Sequence, residues 1–498
     1  MRGLVGFGCI ASFGVLLVAG CGDGGNSPEI ECMENVCPCN EGGIRAAVAE
    51  GLGPYTFECD GPTAVLTSRE IVIDKDLTLD GEGNLTVDAN RRHRVFSVLD
   101  GVTAELIGVT VANGNETDEH GGGIRNEGTL TLTNSTVSGS TAGRESGCRT
   151  DDPALLCSEG GGIWNAGTLT LMDSTVSGNS APFGGGIANR RGSLTVIDSN
   201  IFGNSADGCR GAAAVLCSGG GGIWNSATLT MLNSTVSGST ANWGAGIYNR
   251  GVCTQTNCTT SENSAGFDGG GLLNFGTLRL IDTTVADNIA GQSGGGIANE
   301  AGMLEAASST LSNNTAASAG GGIYNPGGAA AELANTTLST NTANTWGGGM
   351  YTGGELLLVS GTIAGNDAPT GSAIYDRGSP GAGLRSIANT LIEGDCGGSP
   401  FDSAGYNIES PGNTCGFNQE SDLPAEPQLN LGPLEDNGGR TKTHALGLLP
   451  TPSLAIDRVP AVDCIDGTGE PLTADQRGEP RPAGTSSSCD VGAFEVQP

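Results

Sequence analysis

One column of aromatic residues in the sequence has the chemistry to bind a ligand. A hexapeptide of the form GGGIxN recurs ten times between Gly121 and Asp376, and its variable fifth residue is aromatic in six copies. The six are Trp164, Trp224, Tyr248, Tyr324, Tyr351 and Tyr375. Because each follows an apolar residue expected in the core, the rings should point outward, where they could stack on sugar rings or contact a protein partner. The alternative is that the rings pack on one another and on neighbouring turns.

Residues that could catalyse a reaction are sparse by comparison. Hydrolysis of a polysaccharide requires a pair of carboxylates about 5–9.5 Å apart, and lyase chemistry would require carboxylates that hold calcium beside a basic residue. Asp118, Glu119 and His120 precede the first glycine triplet, and Asp268 lies near the equivalent position several repeats later, but other repeats carry Ala, Ser, Phe or Trp there. The sequence therefore favours a non-catalytic protein without a cofactor, with weak calcium binding left open. A polysaccharide lyase or glycoside hydrolase is the alternative.

The spacing of the repeats indicates which element must hold these residues. Most copies of the hexapeptide are 24 to 27 residues apart, and a fixed period of this length is typical of a solenoid in which each repeat forms one coil. Alternating segments such as Thr168–Leu171 predict short β-strands separated by turns. The sequence thus predicts an all-β, single-stranded parallel β-helix. Its isoleucines should stack inside, and its asparagines should be hydrogen-bonded from coil to coil as a ladder.

The repeats also resemble those of known bacterial surface proteins. GGGI followed by a V-x-x-N segment, as in Val176–Asn179 and Val285–Asn288, is similar to the GGA[I/L/V] and FxxN repeats of polymorphic outer-membrane proteins. The resemblance is closer still to bacterial surface proteins that end in a choice-of-anchor segment. It implies a right-handed parallel β-helix of the pectin-lyase-like fold, displayed at the cell surface, and it implies no particular chemistry.

Both ends of the chain differ from the repeats. Residues 1–20 are predicted to be a signal peptide, and Val18–Cys21 resembles the lipobox in which a bacterial lipoprotein is cleaved and then acylated, here on Cys21. Residues 21–40 should form a tether and residues 41–418 the β-helix, with a short cap helix at Gly43–Glu50. Residues 419–498 lose the repeat and are predicted to be an irregular capping module. We therefore expect an exported protein that is held at the bacterial outer membrane or cell surface by this lipid anchor alone.

The charge of the chain limits its partners. Asp and Glu outnumber Lys and Arg by 54 to 22, which gives a formal net charge of −32. A chain this acidic repels nucleic acid, so neither DNA nor RNA is an expected partner. The predicted function is that of a cell-surface scaffold for binding or adhesion, with a glycan or a surface protein as its ligand.

The sixteen cysteines indicate a protein that folds in an oxidising compartment. With Cys9 in the signal peptide and Cys21 acylated, fourteen remain to form disulfides. Short separations predict five pairs, namely Cys148–Cys157, Cys209–Cys217, Cys253–Cys258, Cys396–Cys415 and Cys464–Cys489. Four further cysteines would form two more bonds in an order that the sequence leaves open, with a zinc site as the alternative: Cys32, Cys37, Cys39 and Cys59.

Overall fold

The predicted fold class is confirmed by the structure, a computed structural model that describes residues 32–498 apart from 118, 144–156, 207–217, 379–382, 427, 449–450 and 468. The described chain forms a parallel β-solenoid of about 13 coils of about 25 residues, with one helix. The helix, Glu41–Glu50, begins two residues before its predicted start. Asn40 caps it, because the side-chain oxygen accepts a hydrogen bond from the Gly43 N–H at 3.0 Å. Nowhere in the described chain is a helix long and apolar enough to cross a membrane.

The strands form two large parallel sheets and several small ones. The thirteen-stranded sheet contains the I-x-N segments and their equivalents: Ile71–Ile73, Phe96–Val98, Ile124–Asn126, Ile163–Asn165, Ile187–Asn189, Ile223–Asn225, Ile247–Asn249, Leu272–Asn274, Ile297–Asn299, Ile323–Asn325, Met350–Thr352, Ile374–Asp376 and Cys396–Gly398. The 27-stranded sheet begins with Val36–Pro38, Leu52–Glu58, Thr63–Leu66, Leu77–Asp88 and Thr103–Ala112.

Each later coil adds two strands to the 27-stranded sheet. The first of the two is Thr129–Thr133, Thr168–Met172, Ser193–Ile197, Thr228–Leu232, Val252–Thr256, Thr277–Ile281, Met303–Ala307, Ala330–Ala334, Glu355–Val359, Arg385–Ala388 or Asp402–Gly405. The second is Thr136–Ser138, Thr175–Ser177, Asn200–Phe202, Thr235–Ser237, Thr259–Ser261, Thr284–Ala286, Thr310–Ser312, Thr337–Ser339, Thr362–Ala364, Leu391–Glu393 or Ile408–Ser410.

Short strands and two hairpins complete the fold. Asn115–Glu116 pairs with Thr141–Ala142, and a six-stranded sheet contains Ser205–Ala206, Thr240–Ala241, Ser264–Ala265, Ile289–Ala290, Thr315–Ala316 and Thr342–Ala343. The two antiparallel pairs lie in the C-terminal part of the chain: Leu431–Glu435 with Thr443–Leu446, and Val459–Pro460 with Ser488–Cys489.

Identical positions of successive coils stack in register, so the core consists of columns of one residue type. Ile223 pairs with Ile187 and Ile247 on either side and is fully buried. The predicted asparagine ladder is confirmed. From Asn126 to Asn325, each side-chain Nδ2 donates to the Oδ1 of the next asparagine at 2.7–2.9 Å. The first glycine of a triplet is required for backbone reasons, since Gly220 has a φ of +67° and a Cβ there would lie 2.4 Å from the Ile223 carbonyl oxygen.

Four disulfides are present in the described chain with both partners identified. The predicted pairs Cys396–Cys415 and Cys464–Cys489 are confirmed. The order that the sequence left open is Cys32–Cys37 and Cys39–Cys59, which replaces the zinc alternative. Cys157 is also disulfide-bonded. Cys21, Cys148, Cys209 and Cys217 lie outside the described residues.

The predicted Cys253–Cys258 bond is wrong, because both cysteines are free and buried. Cys253 is a core residue of the strand Val252–Thr256, in register with leucines of both neighbouring coils, whereas Cys258 follows the turn at Asn257. An extended strand rises about 3.3 Å per residue. It therefore holds the two cysteines farther apart than the roughly 4.4–6.8 Å that separate the Cα atoms of a disulfide.

The C-terminal module contacts the side of the solenoid. Phe401, Cys415 and Phe417 are the last members of the main core, and a second small core joins Leu391 and Ile408 of the last coils to residues of the module from Leu429 onward. Beyond it, the Thr337 hydroxyl donates to Gln476 at 2.6 Å, and the Arg481 guanidinium donates to Asn335 at 3.0 Å. The module predicted to cap the end thus folds back along the outer surface of the 27-stranded sheet over several coils.

Candidate ligand-binding site

The aromatic column lies on the outer surface of the thirteen-stranded sheet, as predicted. Each of its residues stands between a buried apolar residue and a buried polar one, which is asparagine except for Thr352 and Asp376, so its side chain takes the opposite face of the strand. Register places Tyr324 beside Tyr351 and Tyr351 beside Tyr375. The column is interrupted by Leu273 and Ala298, which divide the aromatic residues into two groups.

In the first group, Trp164 is enclosed by charged and aromatic neighbours. The His120 ring stacks on it with centroids 5.2 Å apart, and the Arg125 guanidinium lies 5.6 Å from its ring centre. Its indole N–H donates to Glu159 at 3.3 Å. Burial and the nearby arginines also lower the pKa of His120. These residues therefore form a cluster in which Trp164 is half-buried.

Trp224 and Tyr248 are covered in the same way. Arg190 lies 5.0 Å from the Trp224 ring centre, and the ring is only 5% exposed. Arg250 lies 5.7 Å from the centres of both Tyr248 and Phe275. Of the two alternatives that the sequence left open, packing of the ring on neighbouring side chains is the one found at Trp224, whereas Trp164 and Tyr248 are half-buried. Arg190 and Arg250 each follow an asparagine of the ladder. Their guanidinium groups extend over the neighbouring rings, where cation–π attraction holds them.

The second group consists of three stacked tyrosines, which we call the tyrosine stack. Tyr324 and Tyr351 have centroids 5.0 Å apart, and Tyr351 and Tyr375 have centroids 5.6 Å apart. Tyr351 is only 6% exposed because it lies between the other two. In the described chain no arginine lies over these rings. The faces of the Tyr351 ring are therefore covered, and Tyr324 and Tyr375 are the half-buried members of the stack.

Trp346 forms the wall of a groove beside the tyrosine stack. It is 40% exposed, and its ring is tilted against Tyr375 with centroids 6.0 Å apart. The groove has a volume of about 340 Å³ and is lined by Ser293, Ser318, Ala319, Tyr324, Trp346, Tyr351, Tyr375 and Arg377. The sequence analysis missed Trp346. The residue at this position of the repeat is also aromatic at Phe183 and Trp243, and this recurrence is the signal that could have identified Trp346.

Two carboxylates, which we call the acidic pair, act electrostatically on Tyr324 of this groove, although neither belongs to its lining. Asp268 precedes the triplet of one coil, and its Oδ1 accepts the Ser293 N–H at 2.7 Å. Glu300 follows the asparagine of the next coil. Burial and the charge of Asp268 raise the pKa of Glu300 to about 7, and burial raises that of Asp268. Burial and the charge of Glu300 in turn raise the pKa of Tyr324 to about 12, so its phenol remains a hydrogen-bond donor.

The acids noted at the first triplet do not form a comparable site. Glu119 makes ion pairs with Arg94 at 3.2 Å and with Arg125 at 3.1 Å. Asp118 lies outside the described residues. Within the described ranges, no three His, Cys, Asp or Glu side chains converge as metal ligands. Of the acids noted in the sequence, Asp268 is therefore the one placed beside the groove.

A larger cleft lies between the C-terminal module and the 27-stranded sheet. Its volume is about 650 Å³, and its charged residues include Asp287, Asp436, Arg440 and Lys442. Arg440 lies 3.7 Å from Asp282. This cleft has no aromatic ring in its lining, and its charges balance, so it offers less for ligand recognition than the groove beside Trp346.

Comparisons with protein families, with curated proteins and with solved structures give no match for this chain. The class of protein that the fold and the site define is a disulfide-bonded parallel β-solenoid with an aromatic groove on one sheet. The likeness to bacterial surface proteins is accordingly supported by the repeat motifs alone.

Proposed function

We propose that the protein is a non-catalytic surface scaffold that binds a glycan in the groove beside Trp346. The observation behind this proposal is a partly exposed tryptophan next to three stacked tyrosines, in a groove of about 340 Å³. Aromatic rings bind the apolar faces of sugar rings, while hydroxyl groups at their edges bond the sugar hydroxyls. Trp346 supplies an accessible ring, and the tyrosines and Ser293 supply polar groups along its length.

A glycan array compared across two matched tryptophan variants tests this proposal. Trp346→Ala should abolish binding of whichever glycan the mature protein retains. Trp243→Ala is the control, because Trp243 occupies the equivalent position before a glycine triplet but stacks on Phe267 with centroids 4.9 Å apart. Equal binding by the wild type and Trp346→Ala would remove the groove as the site.

The cellular setting is part of the same proposal. An apolar N-terminal segment ending in the lipobox-like Val18–Cys21 supports export and acylation of Cys21. Disulfides such as Cys32–Cys37 support an oxidising compartment. The likeness to bacterial surface solenoids supports right-handed winding and display at the outer membrane or cell surface. Release of a Cys21→Ser variant from membranes would agree with this anchor, and its retention would not.

A glycoside hydrolase is the second candidate function, because two carboxylates, the acidic pair, act electrostatically on Tyr324 of the groove. Hydrolysis would require Glu300 to donate a proton to the leaving oxygen while water attacks with help from Asp268. A reducing-sugar assay on the glycan that binds distinguishes the candidates. Turnover that is lost in Glu300→Gln would favour the hydrolase.

A further inference from the structure

One column of threonines holds the C-terminal module on the solenoid. Three of its members begin the second strand that successive coils add to the 27-stranded sheet: Thr310, Thr337 and Thr362. The Thr310 hydroxyl donates to the Lys442 carbonyl oxygen at 2.6 Å, and the Thr337 hydroxyl donates to the Gln476 side-chain oxygen at 2.6 Å. The Ala493 N–H donates to the hydroxyl of the third threonine at 3.0 Å. The column therefore binds amide and carbonyl groups of a polypeptide that lies on it.

The same column continues over earlier coils, and we call this part the open threonine column. Its members, one of which is an asparagine, are Thr136, Thr175, Asn200, Thr235, Thr259 and Thr284. All six are half-buried or exposed, and none of their side chains makes a hydrogen bond within the described chain. Neighbouring strands are about 4.8 Å apart, so six positions span about 24 Å, the length of about seven extended residues.

The cleft between the module and the 27-stranded sheet joins the two parts of the column. The cleft has a volume of about 650 Å³ and is lined by Thr259 and Thr284 of the open column and by Thr310 of the covered part. Arg440 and Lys442 line it on the side of the module. A polypeptide on the open column can therefore extend into the cleft and reach the edge of the module. The open surface is continuous with an interface that the chain already uses.

Acidic side chains flank the open threonine column. They lie at the turns before and after its strands: Asp173, Asp198, Glu262, Asp282 and Asp287. The equivalent turn positions of the same coils carry Asn or Gly, and none carries a lysine or an arginine. The module shows how a basic residue uses these acids, because the Arg440 guanidinium lies 3.7 Å from Asp282. The surface is thus complementary in charge to a basic chain.

We propose that the open threonine column binds an extended, basic segment of a partner protein, with one end of the segment in the cleft. The peptide groups of the segment bond the hydroxyls, as the Lys442 carbonyl does at Thr310, and its basic side chains pair with the acids at the turns. Phe202, which is 46% exposed on the same strand as Asn200, offers a contact to an apolar residue. This surface is separate from the groove beside Trp346.

A polypeptide suits this surface better than a glycan or a second copy of the chain. None of the described residues that line the cleft has the aromatic ring on which a sugar stacks. A second copy carries the same formal net charge of −32 and is repelled. The groups already bonded to the column belong to a polypeptide, and they include the Lys442 carbonyl and the Ala493 N–H.

Fluorescence anisotropy of labelled peptides, titrated with the mature protein, tests this inference. The probes are a short peptide of alternating lysine and threonine, which matches the two-residue period of an extended chain, and the matching peptide of glutamate and threonine. The lysine peptide should bind and the glutamate peptide should not. Asp173→Asn with Asp198→Asn should weaken the binding about tenfold, because it removes charge-assisted contacts. Thr235→Val with Thr259→Val should also weaken it, because valine lacks the hydroxyl that bonds the peptide.

Asp74→Asn with Asp100→Asn is the control for general attraction between a basic peptide and an acidic protein. It removes the same charge from two exposed positions in the N-terminal coils and should leave the binding unchanged. Binding of neither peptide, equal binding of both, or equal weakening by the control would overturn the inference. Unchanged binding by the threonine variant would do so as well. Displacement of the peptide by a tetrasaccharide of N-acetylglucosamine, or self-association that the threonine variant abolishes, would assign the column to a glycan or to a second copy instead.

Discussion

The guanidinium of Arg190 lies 5.0 Å from the ring centre of Trp224, and the same arginine makes an ion pair with Glu159 at 3.2 Å. Arg190 thus joins two coils and encloses a ring that would otherwise face solvent. A side chain in the outer layer of the solenoid is consequently as well packed as one in its core.

Trp224→Ala should therefore destabilise the protein by about 3 kcal/mol, since it removes a large buried ring. The ring is only 5% exposed, so the effect should be comparable with that of Ile223→Ala, one residue earlier in the core column. Urea unfolding of the two variants measures this. A Trp224 variant as stable as the wild type would show that the ring is exposed, as the sequence alone suggested.

The fold was predictable because each column repeats one residue type. Ile223 and Asn225 have equivalents in neighbouring coils, so their burial follows from the period alone. The covering of the aromatic column did not follow, because Arg190 and Trp224 belong to different columns and to different coils. Because the coils differ in length, only the strand register of the structure shows that these two residues are in contact. The acidic pair could not be predicted for the same reason, because Asp268 precedes a triplet and Glu300 follows an asparagine one coil later.

Glu300→Gln should stabilise the protein at alkaline pH and have no effect in acid. Burial and the charge of Asp268 raise the pKa of Glu300 from 4.5 to about 7 in the folded state. The fold therefore favours the protonated acid. That contribution is complete below about pH 4 and is lost as the pH rises toward 7. Glutamine remains neutral, so after allowance for solvent screening the variant should gain about 1–2 kcal/mol at about pH 8.

Thermal unfolding of the wild type and Glu300→Gln across this pH range measures the difference. Glu82→Gln, at an exposed position of the strand Leu77–Asp88, is the control and should change stability little at any pH. A Glu300→Gln variant that is equally stabilised in acid and in alkali would contradict the assignment.

Cys253 and Cys258 should be free thiols that do not react in the folded protein. Burial raises the pKa of Cys253 to about 12 and raises that of Cys258 as well. Because the thiolate is the nucleophile, iodoacetamide should modify neither residue at neutral pH until the chain is unfolded. Peptide mapping without reductant tests this, with Cys464–Cys489 as the internal control that stays linked. A fragment from Gly251 to Arg279 that takes up alkyl groups only after reduction would show that the two cysteines are bonded.

Hydroxyl-radical footprinting with mass spectrometry, with and without the bound glycan, tests the central claim most directly. The oxidation of Trp346 and of the tyrosine stack should fall when the glycan is present, because the ligand covers the groove that they form. Oxidation of Trp164 and Tyr248, which arginines already cover, should stay the same. Protection of Trp164 and Tyr248, or of the cleft around Arg440 and Lys442, with Trp346 unchanged would contradict the account.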